Sequence, residues 1–398
     1  MPRVVRVFNR LIVGGPVLNV AYLTKYLSPE FETLLIVGEK DAHEKSAEPF
    51  VQQLGINYIT VPQMGRSINP ANDYLAYQKI KKIIRDFKPD IVHTHAAKPG
   101  ALGRLAAAAL NIPAIVHTYH GHVFHSYFNS LKTNFFINTE RYLGRKSDAI
   151  IAISDQQKKE LSEEFKIAPP EKFKVIPLGF NLDKFQENQE EKRQQFRTEF
   201  GLADDEIAIG IIGRLVPVKN HYLFLKGIAY VLQHTTKKVK AFIVGDGEVR
   251  NDLENVAREV NIPFTTQNDA SHPHPLVFTS WRSDVDVINA GLDIITLTSF
   301  NEGTPVSLIE AQAANKPIVS TKVGGIQDIV VEGQTALLSA IEDTDAFCRN
   351  LLQLVEDDTL REKLGCNSSH MVMQRFSYQR LMNDMAQLYY ELLQKKKR

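Results

Sequence analysis

Short runs of β-branched and aliphatic residues alternate with amphipathic stretches along almost the whole chain. This alternation is typical of βαβ units, in which helices connect the parallel strands of one sheet. It predicts a helix over 71–87, where Leu75, Ile80, Ile83 and Phe87 recur at helical spacing. The predicted strands are 4–8, 33–37, 58–61, 91–94, 114–118, 149–153 and 174–176, followed by 207–212, 240–244, 276–279, 293–297, 317–320 and 336–338.

The length of the chain predicts two domains. A chain of 398 residues exceeds the ~250 to 300 residues at which a single hydrophobic core stops growing. The alternation breaks at 177–185, and a polar run follows at 186–199, which we interpret as a linker. We therefore expect a doubly wound, Rossmann-like domain over 1–180 and a second one over 181–376. A last amphipathic helix is predicted over 378–393.

Composition excludes several classes of protein. A hydrophobic fraction of 43% and a charged fraction of 23% are typical of globular chains, not of disordered chains or coiled coils. Two cysteines cannot form a disulfide framework, which indicates a reducing, cytoplasmic location. The first residues lack the apolar run of a signal peptide, and no stretch is long and apolar enough to span a membrane.

The net charge of +1 is the sum of a basic excess in 1–180 and an acidic excess in 181–398. A basic first half could favour a phosphate-bearing ligand or an anionic membrane, and scattered solvated charge is the alternative. Both interpretations stay open. We expect no nucleic acid partner.

The segment from Ser299 to Glu310, directly after the predicted strand 293–297, carries the strongest chemical pattern. Thr304 is expected to cap a helix in which Pro305 is the first residue. The free N–H groups at such a helix start bind anions, and Gly303 allows a ligand to approach closely. The nearby Glu302 and Glu310 carboxylates are suited to accept hydrogen bonds from sugar hydroxyls. An ordinary helix preceded by an acidic loop is the alternative.

The spacing of Glu302 and Glu310, with the glycine pair Gly324 and Gly325 after the next strand, resembles the signature of family 4 glycosyltransferases. These are retaining enzymes of GT-B fold, and the resemblance is to the type that makes bacterial surface polysaccharides. It extends over nearly the whole chain. Further matches, in the expected order, are Gly14-Gly15, His120-Gly121, Gly213-Arg214 with Lys219, and Gly245-Asp246-Gly247.

The resemblance implies two Rossmann-like domains that face each other across a cleft, with a C-terminal helix over 377–398 crossing back to the first. It implies that Arg214 and Lys219 hold the donor diphosphate, where two cations stabilise the charge of the leaving group. Glu310 would accept from the ribose and Glu302 from the donor sugar. The donor is expected to be a nucleotide sugar with uridine as the base, and no metal or other cofactor is expected to be obligatory.

The candidate site residues follow from the same resemblance. The catalytic candidates are His120, Arg214, Lys219 and Glu302. The acceptor, a sugar or a lipid-linked sugar, is expected at His120, His122 and His125. The donor-binding candidates are Gly14, Gly15, Gly213, Arg214, Lys219, Gly245, Arg282, Glu302, Gly303, Thr304, Pro305, Val306 and Glu310.

Six histidines lie within 93–125, yet no acidic residue lies within 91–139, so we do not expect a metal site. Aromatic and cationic residues are mixed over 123–145. This mixture suits peripheral contact with the inner face of an anionic membrane, and it equally suits a buried aromatic face with solvated cations.

Other functions share part of this pattern. A sugar-nucleotide 2-epimerase of the same architecture and a catalytically silent sugar-nucleotide-binding protein both remain alternatives. A dinucleotide-dependent oxidoreductase is not supported, because the nearest glycine fingerprint, at 245–250, ends in arginine. A glycosidase is not supported either, because Glu302 and Glu310 cluster at a predicted phosphate site.

Overall fold

The computed structural model describes residues 1–41, 44–65, 67–121, 130–266, 274–366 and 368–397. The chain divides into two compact units. Unit 1 comprises Met1–Phe180 and Phe376–Arg398, and unit 2 comprises Asn181–Arg375. Each unit is built on a seven-stranded parallel sheet flanked by helices. The predicted class, α/β with two doubly wound domains, is confirmed.

Unit 1 has the strand order β3-β2-β1-β4-β5-β6-β7. Its first strand is central, and the chain adds strands on one side of it before it moves to the other side. The strand order therefore reverses between β1 and β4. The strands are β1 (Arg3–Arg10), β2 (Glu32–Gly38), β3 (Tyr58–Val61), β4 (Ile91–His95), β5 (Ala114–Tyr119), β6 (Ala149–Ala152) and β7 (Phe173–Val175).

The helices of unit 1 cover both faces of this sheet, which buries β4 and β5 completely. Buried parallel strands of this kind are continuous apolar runs, and the histidines in β4 and β5 depart from that rule. The helices are α1 (Gly15–Tyr26), α2 (Glu48–Gln53), α3 (Pro70–Phe87), α4 (Ala97–Ala109), α5 (Ser130–Lys146), α6 (Asp155–Lys159) and, from the end of the chain, α15 (Tyr378–Lys397).

The C-terminal helix α15 belongs to unit 1, as the sequence predicted. Two main-chain hydrogen bonds join the start of this helix to Phe180. Phe180 N donates to Phe376 O at 2.8 Å, and Tyr378 N donates to Phe180 O at 3.0 Å. One face of the helix then packs into the core of unit 1. Leu381 and Tyr389 are both buried there, against side chains of β1, β4 and β5.

Unit 2 has the strand order β10-β11-β9-β8-β12-β13-β14. Its first strand, β8, is again central, so the order reverses between β8 and β12. The strands are β8 (Ile207–Ile212), β9 (Val239–Val244), β10 (Phe264–Thr265), β11 (Leu276–Ser280), β12 (Ile294–Leu297), β13 (Ile318–Thr321) and β14 (Ala336–Ser339). The helices are α7 (Gln189–Glu199), α8 (His221–His234), α9 (Arg250–Glu259), α10 (Val285–Gly291), α11 (Val306–Ala313), α12 (Thr344–Glu356), α13 (Asp358–Gly365) and α14 (Ser368–Phe376).

The structure corrects two details of the sequence analysis. The polar run interpreted as a linker is mostly helix α7, whose Phe196 is fully buried against Phe200 and Phe242. The polar composition hid this helix, because a single aromatic residue anchors its buried face. Leu75, predicted on the apolar face of α3, is 53% exposed, and Ala76 takes the buried position instead.

The predicted strands match the observed ones to within one or two residues at each end. The two-residue edge strand β10 was not predicted, because it is too short to show a period. Among the described helices, none is long and apolar enough to cross a membrane.

Candidate active site

The predicted donor-site residues of unit 2 follow two neighbouring strands at the centre of its sheet. Gly213 and Arg214 come directly after β8, and the 298–305 segment comes directly after β12. Because β8 and β12 pair in parallel, their carboxyl ends lie at the same edge of the sheet. This edge, where the strand order reverses, is the place at which doubly wound sheets bind ligands. The fold therefore assembles these residues at one candidate site.

Two hydrogen bonds fasten the loops after these strands to each other. Phe300 N donates to Val218 O at 2.8 Å, and Thr298 Oγ1 donates to Lys219 O at 3.1 Å. The β8 loop ends in a 3₁₀ turn, Pro217–Lys219, and Asn220 then adopts a left-handed conformation before α8 begins. These contacts fix the position of the Lys219 main chain relative to the segment that carries Glu302.

Lys219 and Glu302 form an ion pair. Lys219 Nζ lies 2.5 Å from Glu302 Oε1, and Ser299 Oγ donates to the same oxygen at 2.5 Å. The Glu302 side chain is 9% exposed and the Lys219 side chain 24%, so the carboxylate is sheltered and the ammonium is partly exposed. Glu302 compensates the charge of Lys219. The sequence analysis did not foresee that these two residues pair, nor that Ser299 supports them.

Arg214 differs from Lys219 because its side chain is exposed and forms no ion pair with any residue that the structure describes. It follows Gly213, where an added Cβ would have nothing within 4 Å. The main chain at the end of β8 is therefore open to a ligand, with an uncompensated cation beside it.

The glycine pair after β13 brings two loops into close contact. An added Cβ on Gly325 would lie 1.7 Å from Gly303 O, and one on Gly324 would lie 2.1 Å from Glu302 O. Gly325 N also donates to Glu302 O at 2.9 Å. The main chain at 302–303 therefore packs directly against the two glycines. Gly303 itself is open, because nothing lies within 4 Å of an added Cβ there.

Gly245, which follows β9, supports the loop that carries Arg214. It has a φ of 140° and lies so close to Gly213 that an added Cβ would be 1.9 Å from Gly213 O. The neighbouring main chains are joined by a bond from Leu215 N to Asp246 O at 3.0 Å. The observed contacts of Gly245 are therefore with the protein main chain.

Helix α11 begins one residue later than predicted. Pro305 is the N-cap, Val306 is the first helical residue, and no side chain caps this end, so the expectation that Thr304 is the cap is wrong. Pro305 has φ −71° and ψ 99°, which is extended and not helical, so the proline precedes the first turn and is not part of it. The first N–H groups of α11 therefore have no partner within the helix, which leaves them available for an anion.

Glu310 lies one turn into α11 and is half-buried. Burial raises the pKa of its carboxyl to about 7, helped by the nearby Asp286 and opposed by Lys184. Near neutral pH this group is present in both protonation states, so it can accept or donate a hydrogen bond. The pattern of spacing predicted only an acceptor.

Arg282 is held by two carboxylates. Its guanidinium donates to Asp284 at 2.8 and 2.5 Å and to Glu199 at 2.5 and 2.9 Å. The hydrogen bonds to Asp284, followed by those to Glu199, raise the pKa of Arg282. This network ties the segment after β11 to the end of α7, and both donor edges of Arg282 are occupied.

In unit 1 the glycine pair follows β1, which is the first strand at the point of order reversal. Gly14 is the N-cap of α1, Gly15 is its first residue, and Gly14 is exposed. An added Cβ on Gly14 would meet only Pro16, at 3.8 Å. This helix start therefore has the open main chain that close approach of a ligand requires.

His120 follows β5 and contacts a second histidine that the sequence analysis gave no role. His120 Nε2 lies 3.1 Å from His95 Nδ1, and the two rings stack with centroids 5.2 Å apart. Burial lowers the pKa of His120 to about 4, so the ring is neutral at physiological pH. The signal that could have indicated a role for His95 was its position as the last residue of β4.

The remaining acceptor candidates, His122 and His125, lie outside the described residues. Within the described part of the chain, no group of three or more His, Cys, Asp or Glu side chains could hold a metal ion.

Comparison with known proteins agrees with this architecture. A family model described as "Glycosyltransferase Family 4" matches residues 13–184, and one described as "Glycosyl transferases group 1" matches residues 192–371. The UDP-Gal:alpha-D-GlcNAc-diphosphoundecaprenol alpha-1,3-galactosyltransferase of Escherichia coli is 28% identical over 88% of each chain. The capsular polysaccharide biosynthesis glycosyltransferase CapM of Staphylococcus aureus is 25% identical over 82% of this chain and 83% of its own.

Among solved structures, Anabaena Alr3699/HepE in complex with UDP superposes with a TM-score of 0.80 at 18% identity, covering 98% of this chain and 100% of its own. The family models, together with this shared fold, define a two-domain glycosyltransferase of GT-B type. The chain belongs to the family 4 glycosyltransferases.

Proposed function

We propose that the protein is a retaining glycosyltransferase that moves a hexosyl group from a UDP-sugar to a hydroxyl of a lipid-linked sugar acceptor. The observation that carries the proposal is the ion pair of Lys219 with Glu302. Arg214, which follows the same strand as Lys219, forms no ion pair with any residue that the structure describes. An incoming diphosphate offers Lys219 a second anionic partner. When Lys219 binds it, Glu302 becomes free to accept hydrogen bonds from the donor sugar.

The reaction breaks the bond between the anomeric carbon and the diphosphate oxygen. The acceptor oxygen forms a new bond to that carbon on the same face, and the acceptor proton passes to the leaving diphosphate. Arg214, Lys219 and the start of α11 stabilise the negative charge that develops on the leaving group. No nucleophilic side chain is required in this scheme.

The chemistry of each side chain suggests which part of the donor it binds. Glu310 binds the ribose hydroxyls, and with a pKa of about 7 its carboxyl accepts from them when ionised and can also donate when protonated. His120 contacts the donor sugar as a neutral imidazole. The choice of a UDP-sugar and a lipid diphosphate acceptor is supported by what the E. coli and Anabaena relatives are described as using or binding.

Peripheral contact with an anionic membrane is also proposed, through a surface of unit 1 formed by α3 and α5. Phe135 is 65% exposed, Tyr142 is 50% exposed and Tyr74 is 62% exposed. Arg145 and Lys146 lie on the same helix as Phe135 and Tyr142. Exposed aromatic residues beside cations suit the interface of an anionic bilayer.

A panel of UDP-galactose, UDP-glucose, UDP-N-acetylglucosamine and GDP-mannose tests the donor. We expect one UDP-sugar to raise the melting temperature and to be consumed when a synthetic N-acetylglucosaminyl-diphosphate lipid is present. NMR of the product should show the anomeric configuration of the donor. Arg214→Ala should lose turnover. Lys238→Ala, which removes an exposed lysine paired with Asp205 before β9, is the matched control.

Three results would contradict the proposal. An inverted product excludes retention, and a preference for GDP-mannose excludes uridine. Formation of a new nucleotide sugar without any acceptor identifies an epimerase instead.

For the membrane contact, we expect the protein to sediment with phosphatidylglycerol vesicles but not with phosphatidylcholine vesicles. The double variant Phe135→Ser, Tyr142→Ser should sediment less with the anionic vesicles. Equal recovery of the unaltered protein and the double variant with the anionic vesicles would exclude this surface as the membrane contact.

A further inference from the structure

Ser299 is a fully buried residue to which the proposed function gives no role. It lies in the segment after β12, and its hydroxyl donates to Glu302 Oε1 at 2.5 Å. Lys219 Nζ lies 2.5 Å from the same oxygen. One oxygen of the carboxylate therefore receives two hydrogen bonds, whereas Glu302 Oε2 receives none from the residues that the structure describes.

The main chains that carry Ser299 and Glu302 are both anchored to the loop that follows β13 or to its last residue. Thr321 Oγ1 donates to Ser299 O at 2.8 Å. Gly325 N donates to Glu302 O at 2.9 Å. With both main chains held, the contacts of the side chains decide where the Glu302 carboxylate points.

The two donors to Glu302 Oε1 differ in what else they can reach. The Lys219 side chain is 24% exposed and can turn to an anionic ligand. Ser299 is 0% exposed, so its hydroxyl cannot reach a ligand and stays with the carboxylate. A sheltered carboxylate that loses its cationic partner needs another donor, because a buried charge without partners is costly. Ser299 is the donor that remains.

Resting on the proposed function, we propose that Ser299 is a positioning residue for the donor sugar. When Lys219 binds the diphosphate, the Ser299 hydroxyl keeps Glu302 Oε1 in place, and Glu302 Oε2 accepts a hydrogen bond from a hydroxyl of the sugar. Ser299 thereby acts on the sugar only through Glu302. Binding of UDP alone, which has no sugar, should not depend on Ser299.

Titration calorimetry with UDP and with the preferred UDP-sugar of the panel separates these contributions. Ser299→Ala should bind UDP within about twofold of the unaltered protein and bind the UDP-sugar about tenfold more weakly, because a hydrogen bond to a charged group is lost. The kcat/KM for the donor should fall by a similar factor. Unchanged binding of the UDP-sugar, or equal losses for UDP and the UDP-sugar, would overturn the proposal.

A double-mutant cycle shows whether Ser299 acts through Glu302. In the Glu302→Ala background, Ser299→Ala should change the affinity for the UDP-sugar by less than about twofold. The full loss in that background as well would overturn the proposal. If Ser299→Ala does not fold, Ser299→Cys takes its place in the cycle, with a smaller expected loss of about threefold because a thiol is a weaker donor.

Ser320→Ala is the matched control. Ser320 is also fully buried, in the neighbouring strand β13, but its hydroxyl donates to Leu297 O at 2.8 Å and not to Glu302. This variant should bind both UDP and the UDP-sugar as the unaltered protein does. A loss of affinity for the UDP-sugar alone, as large as that of Ser299→Ala, would overturn the proposal.

The outcomes also separate this proposal from the proposed function. A protein that transfers the sugar without coupling between Ser299 and Glu302 overturns the role of Ser299 alone. Coupled binding of a UDP-sugar without transfer overturns only the proposed reaction. Failure to bind any UDP-sugar overturns both.

Discussion

The two units place different kinds of polar group at the same point of the same architecture. In both sheets the first strand lies inside the sheet, and the candidate residues follow strands that flank the reversal in strand order or lie next to those that do. In unit 2 these groups are charged and accessible, as in the pair of Lys219 with Glu302 beside Arg214. In unit 1 they are neutral imidazoles around His95, buried close to Arg6. One fold thus supports a site suited to an anion and a site suited to uncharged hydroxyls.

The largest expected effect tests the charged site. Lys219→Ala should lower kcat by at least about a hundredfold, because a cation that stabilises the leaving diphosphate is lost. Its effect on stability should be about 1 kcal/mol or less, since the ion pair is partly exposed. Initial rates and thermal melting measure the two effects.

The control for this change is Lys238→Ala, which removes another paired lysine of unit 2 at the opposite ends of the strands. Equal turnover in the two variants would show that the accessible charge of unit 2 is not used in the reaction.

The next effect concerns the glycines behind the 302–303 main chain. Gly325→Ala should destabilise the protein by about 3 kcal/mol and weaken UDP binding, because its Cβ would lie 1.7 Å from Gly303 O and a main chain must move. Thermal melting and calorimetry with UDP provide the test. Gly303→Ala, which has free space for the Cβ, should melt as the unaltered protein does; similar losses in both would refute the close packing.

A smaller effect depends on pH. Because the pKa of Glu310 is raised from 4.5 to about 7, the folded protein binds a proton more tightly than the unfolded chain does. The protein should therefore lose stability as the pH rises from about 5 to about 8, by about 2 kcal/mol from this group. Glu310→Gln should remove that part of the decline.

Thermal melting at pH 5 and pH 8 gives the comparison, with Glu259→Gln, an exposed residue of α9, as the control. If Glu310→Gln and Glu259→Gln show the same dependence on pH, the carboxyl of Glu310 is not perturbed.

The smallest effect tests the buried site of unit 1. Arg6→Met should stabilise the protein by about 1 kcal/mol, because it removes a buried charge that has no carboxylate partner in the described structure and keeps the packing volume. Urea denaturation is the measurement. A less stable protein would show that the contact of Arg6 with Tyr389 outweighs the cost of burying the charge.

The repeating order of strands and helices could be predicted from the sequence because each buried parallel strand is a continuous apolar run with a helix behind it. The same reasoning singled out Glu302 and Glu310, because residues that follow such strands lie at the ligand-binding edge, whereas Arg214 and Lys219 were predicted from the resemblance to the family. It missed helix α7, where one buried aromatic residue sets the fold of a polar segment. It also placed the N-cap of α11 at Thr304 and not at Pro305, because both residue types are suited to the start of a helix.

The sequence by itself determined the class of fold and the family, because these depend on local periodicity and on short motifs. Only the tertiary structure decided which polar groups meet. The pairing of Lys219 with Glu302, the contact of Gly325 with Gly303, and the approach of Tyr389 and Arg6 to the histidines of β4 join residues far apart in the chain. Such contacts depend on the packing of whole elements, and burial then sets the protonation of His120 and Glu310, which no spacing of residues reveals.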